Sequence, residues 1–233
     1  MNLDRHAISL NTRQPKMKVN FIIVGAQKCG TTALHESLIK HPSIFIPKKE
    51  IHYFDNKSIY ENDINYQNYH SHFLEYKKQS AIGEATPIYL YWNGALDRIK
   101  KYNDKIKIIV VLRNPIERAF SHWNMERNRG NENLTFLEAI TCEAHRCAEA
   151  LPEQHRIYSY VDRGHYIKQL NKLWDIFNKE QTLIIDSGRL KNYQRETLLE
   201  IHNFLGIESS ENTGSLPHAP PNSTPRSIYK LDV

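Results

Sequence analysis

The chain has 233 residues, of which 40% are hydrophobic and 24% charged; that suits one large α/β domain and excludes a disordered chain, a repeat array and a small stapled scaffold. Its 31 Lys and Arg against 26 Asp and Glu give a net charge of +5, so anions are the expected partners. Three cysteines, Cys29, Cys142 and Cys147, exclude a disulfide framework and have no zinc-site spacing, which points to a reducing compartment.

Residues 1–18 are basic and aperiodic and are expected to form a loose arm. They lack the apolar stretch of a secretory signal, and no run reaches the ~20 apolar residues of a membrane span, so a soluble cytoplasmic protein is expected. Residues 19–24 (VNFIIV) read as a buried parallel strand, followed by a glycine loop and a helix over 31–41 that Pro42 stops. Residues 43–47 read as a second strand. The Asn-, Tyr- and His-rich stretch 55–80 reads as surface loops with a short helix at 66–76. A third strand is expected at 81–84, a helix at 95–102 and the clearest buried strand, KIKIIVVL, at 105–112. Pro115 opens a helix running to about 129. Amphipathic helices are expected at 134–150 and 167–177, a strand at 181–186 and a helix at 195–205 closed by Gly206. Strands alternating with helices predict a three-layer α/β/α sandwich around a mostly parallel sheet, a domain over 19–207. From residue 208 onward four prolines in 26 residues predict an irregular tail.

The loop Gly25-Ala26-Gln27-Lys28-Cys29-Gly30-Thr31-Thr32 lies between a strand and a helix, where backbone N–H groups converge on an anion. It differs from a Walker A loop, in which lysine follows the second glycine and a hydroxyl ligates magnesium. Here Thr31 takes the lysine position, and Lys28 projects from the loop itself. The strand that would carry a metal-binding carboxylate ends instead in Arg113 and Asn114, which predicts a ligand whose second anionic group is held by protein cations without a metal. Arg113 and Ser121, about two helical turns on, can clamp a phosphate. Arg118 reads as a solvated helix residue.

The loop GAQKCGTTAL resembles the 5′-phosphosulfate motif, and LRNPIERAFSHW the 3′-phosphate motif, of the sulfotransferases that use 3′-phosphoadenylyl sulfate. The resemblance spans residues 21–206. It implies that Lys28, Gly30, Thr31 and Thr32 hold the 5′-phosphosulfate, with Gly25, Gln27 and Cys29 in the same loop, and that Arg113 and Ser121 hold the 3′-phosphate. Residues 220–226 resemble a segment that closes over the nucleotide, which adds Arg226. Family chains continue beyond the point matching Val233, which implies a shortened end. The segment PKKEIHYFD resembles the stretch carrying the catalytic glutamate of heparan sulfate-type carbohydrate sulfotransferases. Glu50 is then the candidate base, and His52 its orienting partner or the base itself. Residues 83–89 resemble a segment at the acceptor cleft, which puts Glu84 close to the site; Ala85 replaces a lysine frequent in the heparan sulfate relatives.

The resemblance implies transfer of a sulfuryl group to a hydroxyl, with carbohydrate the first choice and a peptide tyrosine, lipid or secondary metabolite the others. The competing readings are a magnesium-dependent P-loop kinase or nucleoside triphosphatase and a nucleotide- or RNA-binding module using the Tyr-rich stretch 53–76. The modest charge and the lack of a stacking motif argue against nucleic acid.

Overall fold

The structure, a computed structural model, describes residues 17–48 and 50–208. Five parallel strands, β1 (Phe21–Gly25), β2 (Ile44–Phe45), β3 (Ala81–Ala85), β4 (Lys107–Leu112) and β5 (Thr182–Asp186), form one sheet in the order β2-β3-β1-β4-β5. β1 is buried along its whole length and β4 nearly so. A parallel sheet covered on both faces needs apolar residues at every position, which is why these segments read as continuous runs. The chain leaves central β1 for one side of the sheet and later crosses to the other with β4. The carboxyl ends of β1 and β4 are therefore neighbours at the point where strand order reverses, the usual place for a ligand in such a sheet.

The helices are α1 (Thr31–Leu38), α2 (Lys57–Asn62), α3 (Gln67–Ser71), α4 (Ala95–Tyr102), α5 (Pro115–Asn128), α6 (Phe136–Ala148), α7 (Tyr166–Ile176), α8 (Ser187–Asn192) and α9 (Gln194–Leu205). α4 buries Ala95, Leu96, Ile99 and Tyr102 along one face. In α5, Pro115 occupies the first turn and the Asn114 side chain accepts from Ile116 and Glu117 N–H. Gly206, at φ 77°, closes α9.

The boundaries differ from expectation where side chains decide them. α6 is shorter at both ends than the predicted 134–150, its start fixed by a capping box between Thr135 and Glu138. β2 contracts to two residues because it is an edge with one partner. α1 stops at Leu38, and the buried His41 takes its N–H to the Leu38 carbonyl. α8 was not anticipated; Asp186 caps it by accepting from Arg189 N–H at 2.9 Å.

The largest departure is the stretch 55–80. It contains two short helices, α2 and α3, and its Tyr69 and Phe73 face inward, buried together with Tyr53 and Phe54 just before it. The Tyr53 and Tyr69 ring centroids lie 4.9 Å apart, and Phe54 and Tyr69 5.0 Å apart; Tyr89 and Tyr102 complete the cluster. These rings form one end of the core rather than a stacking platform for bases, which removes the main support for an RNA-binding module. Among the described residues no helix is long and apolar enough to cross a membrane.

Candidate functional site

The loop after β1 is shaped by two close constraints. A Cβ on Gly25 would lie 2.7 Å from Leu90 Cβ, so only glycine lets β1 pass that side chain. Gly30 sits at φ 95° as the cap of α1, a conformation side chains resist. Lys28 is itself left-handed, at φ 70°. Alternating backbone hands of this kind turn successive N–H groups inward. Among the described residues the N–H groups of Gln27, Lys28, Gly30, Thr31 and Thr32 meet no protein acceptor. These donors and the positive end of α1 make a cradle for an anion. The Thr31 side chain is buried beside it and Thr32 is exposed. Cys29 differs from expectation: its side chain is buried, facing Tyr166 Oη at 3.4 Å, and its N–H closes a turn to the Ala26 carbonyl. It shapes the loop from inside.

Two buried arginines stand behind the cradle. Arg163 donates to Gln27 Oε1, to Ser159 Oγ at 2.8 Å, and to the carbonyls of Arg156 and His155 at 2.7 and 3.1 Å. Gln27 therefore braces the loop against the core. Arg118, expected at the surface, has no exposed area and donates to the Tyr160 carbonyl. The small second core of Ala119, Ala139 and Tyr160 encloses that turn of α5, so burial overrides the polar character of the side chain. Burial lowers the pKa of both guanidinium groups, Arg163 to about 10, yet both stay charged at neutral pH.

At the end of β4, Arg113 pairs with Glu117 through Nε and Nη2, each 2.9 Å from Oε2; Nη1 has no protein partner among the described residues. Tyr166 clamps this strand end by donating to the Arg113 carbonyl at 2.9 Å. The half-buried Ser121 hydroxyl likewise has no protein partner among the described residues. The Lys28 ammonium lies 3.5 Å from Met125 Sδ on the far turn of α5. Burial lowers its pKa first and Arg129 second, while Glu126 and Glu50 oppose them and Arg113 adds a smaller push down. Lys28, Glu50 and Arg113, distant from one another in sequence, thus share one electrostatic neighbourhood.

Glu50 begins a carboxylate–imidazole–carboxylate chain. His52 Nε2 lies 3.1 Å from Glu50 Oε2, and its Nδ1 lies 3.1 Å from Asp55 Oδ2. Asp55 is buried and also accepts from Arg156 at 2.7 Å. Hydrogen bonds with Asp55 and then Glu50 push the His52 pKa up to about 9. At neutral pH the imidazolium spends both N–H groups on carboxylates, so the half-exposed Glu50 keeps the free lone pairs of the chain. Glu84, expected close to the site, lies one hydroxyl away from the Glu50 segment, through Thr86, and has no exposed area. Burial pushes its carboxyl up to about 7 against the hydrogen bonds of Tyr69, Thr86 and Tyr89.

Arg226 lies outside the described residues, as does the rest of 209–233. Sequence reasoning missed Arg163, Asp55, Arg156, Glu126 and Arg129. The pairings of Arg163 and Asp55 span 136 and 101 residues, so no local pattern announces them. Beside Asp55 opens a cleft of about 490 Å³ lined by Lys57, Trp92, Arg98 and Arg156 among others.

A sulfotransferase-domain family model matches residues 18–219. The mouse heparan sulfate glucosamine 3-O-sulfotransferase 5 is 31% identical over 189 residues, 80% of this chain and 53% of that protein. The human bifunctional heparan sulfate N-deacetylase/N-sulfotransferase 3 is 28% identical, again over 80% of this chain but 22% of its own length. The chain thus spans about half the length, or less, of these relatives. The crystal structure of a sulfotransferase from Alicyclobacillus acidocaldarius superposes with a TM-score of 0.74 at 28% identity, covering 90% of this chain and 87% of that one. Mouse sulfotransferase SULT7A1, solved with PAP, shares the fold at 18% identity and a TM-score of 0.56, covering 84% of this chain and 60% of its own. The parallel sheet, the glycine cradle at its switch point and the family match agree: this chain belongs to the sulfotransferase-domain family.

Proposed function

We propose that the protein transfers a sulfuryl group from 3′-phosphoadenylyl sulfate to a hydroxyl of a carbohydrate acceptor. The observation that carries this reading is the placement of two cationic sites at adjacent strand ends, the Lys28 cradle after β1 and Arg113 with Ser121 after β4. A 3′,5′-bisphosphorylated adenosine offers anionic groups at both ends, and the unpaired loop N–H groups and the Ser121 hydroxyl fit them as donors. The donor substrate supplies an activated sulfur bonded to a phosphate oxygen.

The loop N–H groups and Lys28 stabilise the charge that grows on that phosphate oxygen as its bond to sulfur breaks. Glu50 takes the proton of the acceptor hydroxyl as its oxygen bonds to sulfur. His52, charged and gripped by Asp55, holds Glu50 in place and is not itself free to accept a proton. Arg113 stands where a metal-binding carboxylate would be expected, and protein cations carry the electrostatic work. The cleft beside Asp55, with Lys57, Arg98 and Arg156 around Trp92, suits a sugar carrying acidic groups, in keeping with the glycan relatives. Incubation with radiolabelled 3′-phosphoadenylyl sulfate and a panel of glycans, tyrosine peptides, lipids and phenols tests the assignment. Label on a glycan is the expected result; label on another class corrects the acceptor, and label on none overturns the proposal.

A further inference from the structure

Glu84 is a fully buried carboxylate with no cation in contact among the described residues, and three hydroxyls surround it. Tyr69 donates to Oε1 at 2.8 Å, Thr86 to Oε2 at 2.9 Å, and Tyr89 to the two oxygens at 3.3 and 3.5 Å. Two of these hydroxyls also face the segment that carries the base. Thr86 Oγ1 accepts from Ile51 N–H at 3.1 Å, and Tyr89 Oη accepts from Tyr53 and Phe54 N–H at 2.9 and 3.3 Å. Three of the four N–H groups in residues 51–54 therefore end on oxygens that lean on Glu84. The remaining residue is His52, whose backbone is left-handed at φ 54°.

A hydroxyl has one proton to give. Once Thr86 and Tyr89 spend theirs on the ionised carboxylate, they present only lone pairs to the backbone, and the polarity of the network is fixed. Segment 51–54 lies outside any helix or strand, so these bonds replace the regular ladder that would otherwise hold it. We propose that Glu84 is a positioning residue for the reaction: acting through Thr86 and Tyr89, it fixes the backbone that places Glu50, His52 and Asp55. The inference rests on the reading of Glu50 as the base.

Glu84→Gln tests it at pH 8, keeping the shape while replacing one acceptor oxygen with a donating amide. The hydroxyl facing that amide must accept from it, so it either gives up a lone pair that now serves a backbone N–H or leaves its own proton without an acceptor. Affinity for adenosine 3′,5′-bisphosphate is expected to stay within about twofold, since the cradle is built elsewhere, while kcat falls roughly 10- to 100-fold, the scale of a misplaced reacting group. The His52 titration midpoint, read by NMR, is expected to drop as its carboxylate contacts loosen. Unchanged kcat and an unchanged His52 midpoint in a folded variant would overturn the proposal. Should Glu84→Gln fail to fold, the pair Thr86→Val and Thr86→Ser asks the same question: valine lowers kcat and the His52 midpoint and serine restores both, whereas equal behaviour of the two overturns it. The His52 midpoint needs no turnover, so a chain that fails to transfer label would sink the functional reading and still leave this inference open to refutation.

Discussion

The two halves of the proposed site, one for the donor and one for the base, are built by different means. The donor half hangs on the ends of β1 and β4, and its ligand-facing groups are largely backbone N–H groups placed by the sheet and by α1. The base half sits on an irregular segment whose backbone is held by side-chain oxygens from β3 and the turn after it. A strand end is a rigid mount that tolerates change in its neighbours; a side-chain network transmits every change in hydrogen-bond polarity. The donor half should therefore fail gradually and through affinity, the base half abruptly and through turnover.

Glu50→Gln gives the largest expected effect and breaks the comparison most directly. Loss of a general base costs about 10²–10⁴ in rate, so kcat should fall by about three orders of magnitude with adenosine 3′,5′-bisphosphate affinity unchanged. Equal turnover would remove Glu50 from the mechanism. Arg163→Met comes next and acts through stability: it leaves Gln27 Oε1, the Ser159 hydroxyl and the carbonyls of His155 and Arg156 without their donor. A loss of about 3 kcal/mol or more follows, read as a fall of roughly 6–12 °C in Tm; a wild-type Tm would show that Gln27 needs no brace.

The smallest effect belongs to His52. Its value in the fold, about 9, lies above its unfolded value of ~6.5, so the fold favours the imidazolium. That contribution to stability is complete below about pH 6.5 and is lost as pH rises through about 9. The side chain is 45% exposed, and solvent screening leaves at most about 1 kcal/mol. The Tm difference between wild type and His52→Gln should accordingly shrink from pH 6 to pH 10, and a constant difference would contradict the charged chain.

The same contrast explains what could be read in the sequence. β1 and β4 are continuous apolar runs, the glycine cradle is contiguous, and Pro115 marks the start of α5; each is a local pattern, so the fold and the loop proposed to hold the donor could be located in the sequence. Glu50 and His52 were found together in one short motif, but their link to Asp55, Arg156 and the hydroxyls around Glu84 depends on contacts that only the folded chain makes. Arg118 and the tyrosines of 53–76 misled for one reason: side chains with polar ends look solvent-facing in a sequence, while here their bulk fills the core. Cys29 shows the converse, a loop residue whose side chain points away from the site its backbone helps to build.

The central claim is that Lys28 and Arg113 hold opposite ends of one bisphosphorylated adenosine. It is tested most directly by thermal unfolding in EDTA with adenosine 3′,5′-bisphosphate at about 100 times its Kd. Native-state binding at that level adds about 2.7 kcal/mol, a rise of roughly 5–10 °C in Tm, and the same concentration should give clearly less in Arg113→Ala. No rise with this ligand, together with stabilisation by ATP and magnesium, would contradict the account.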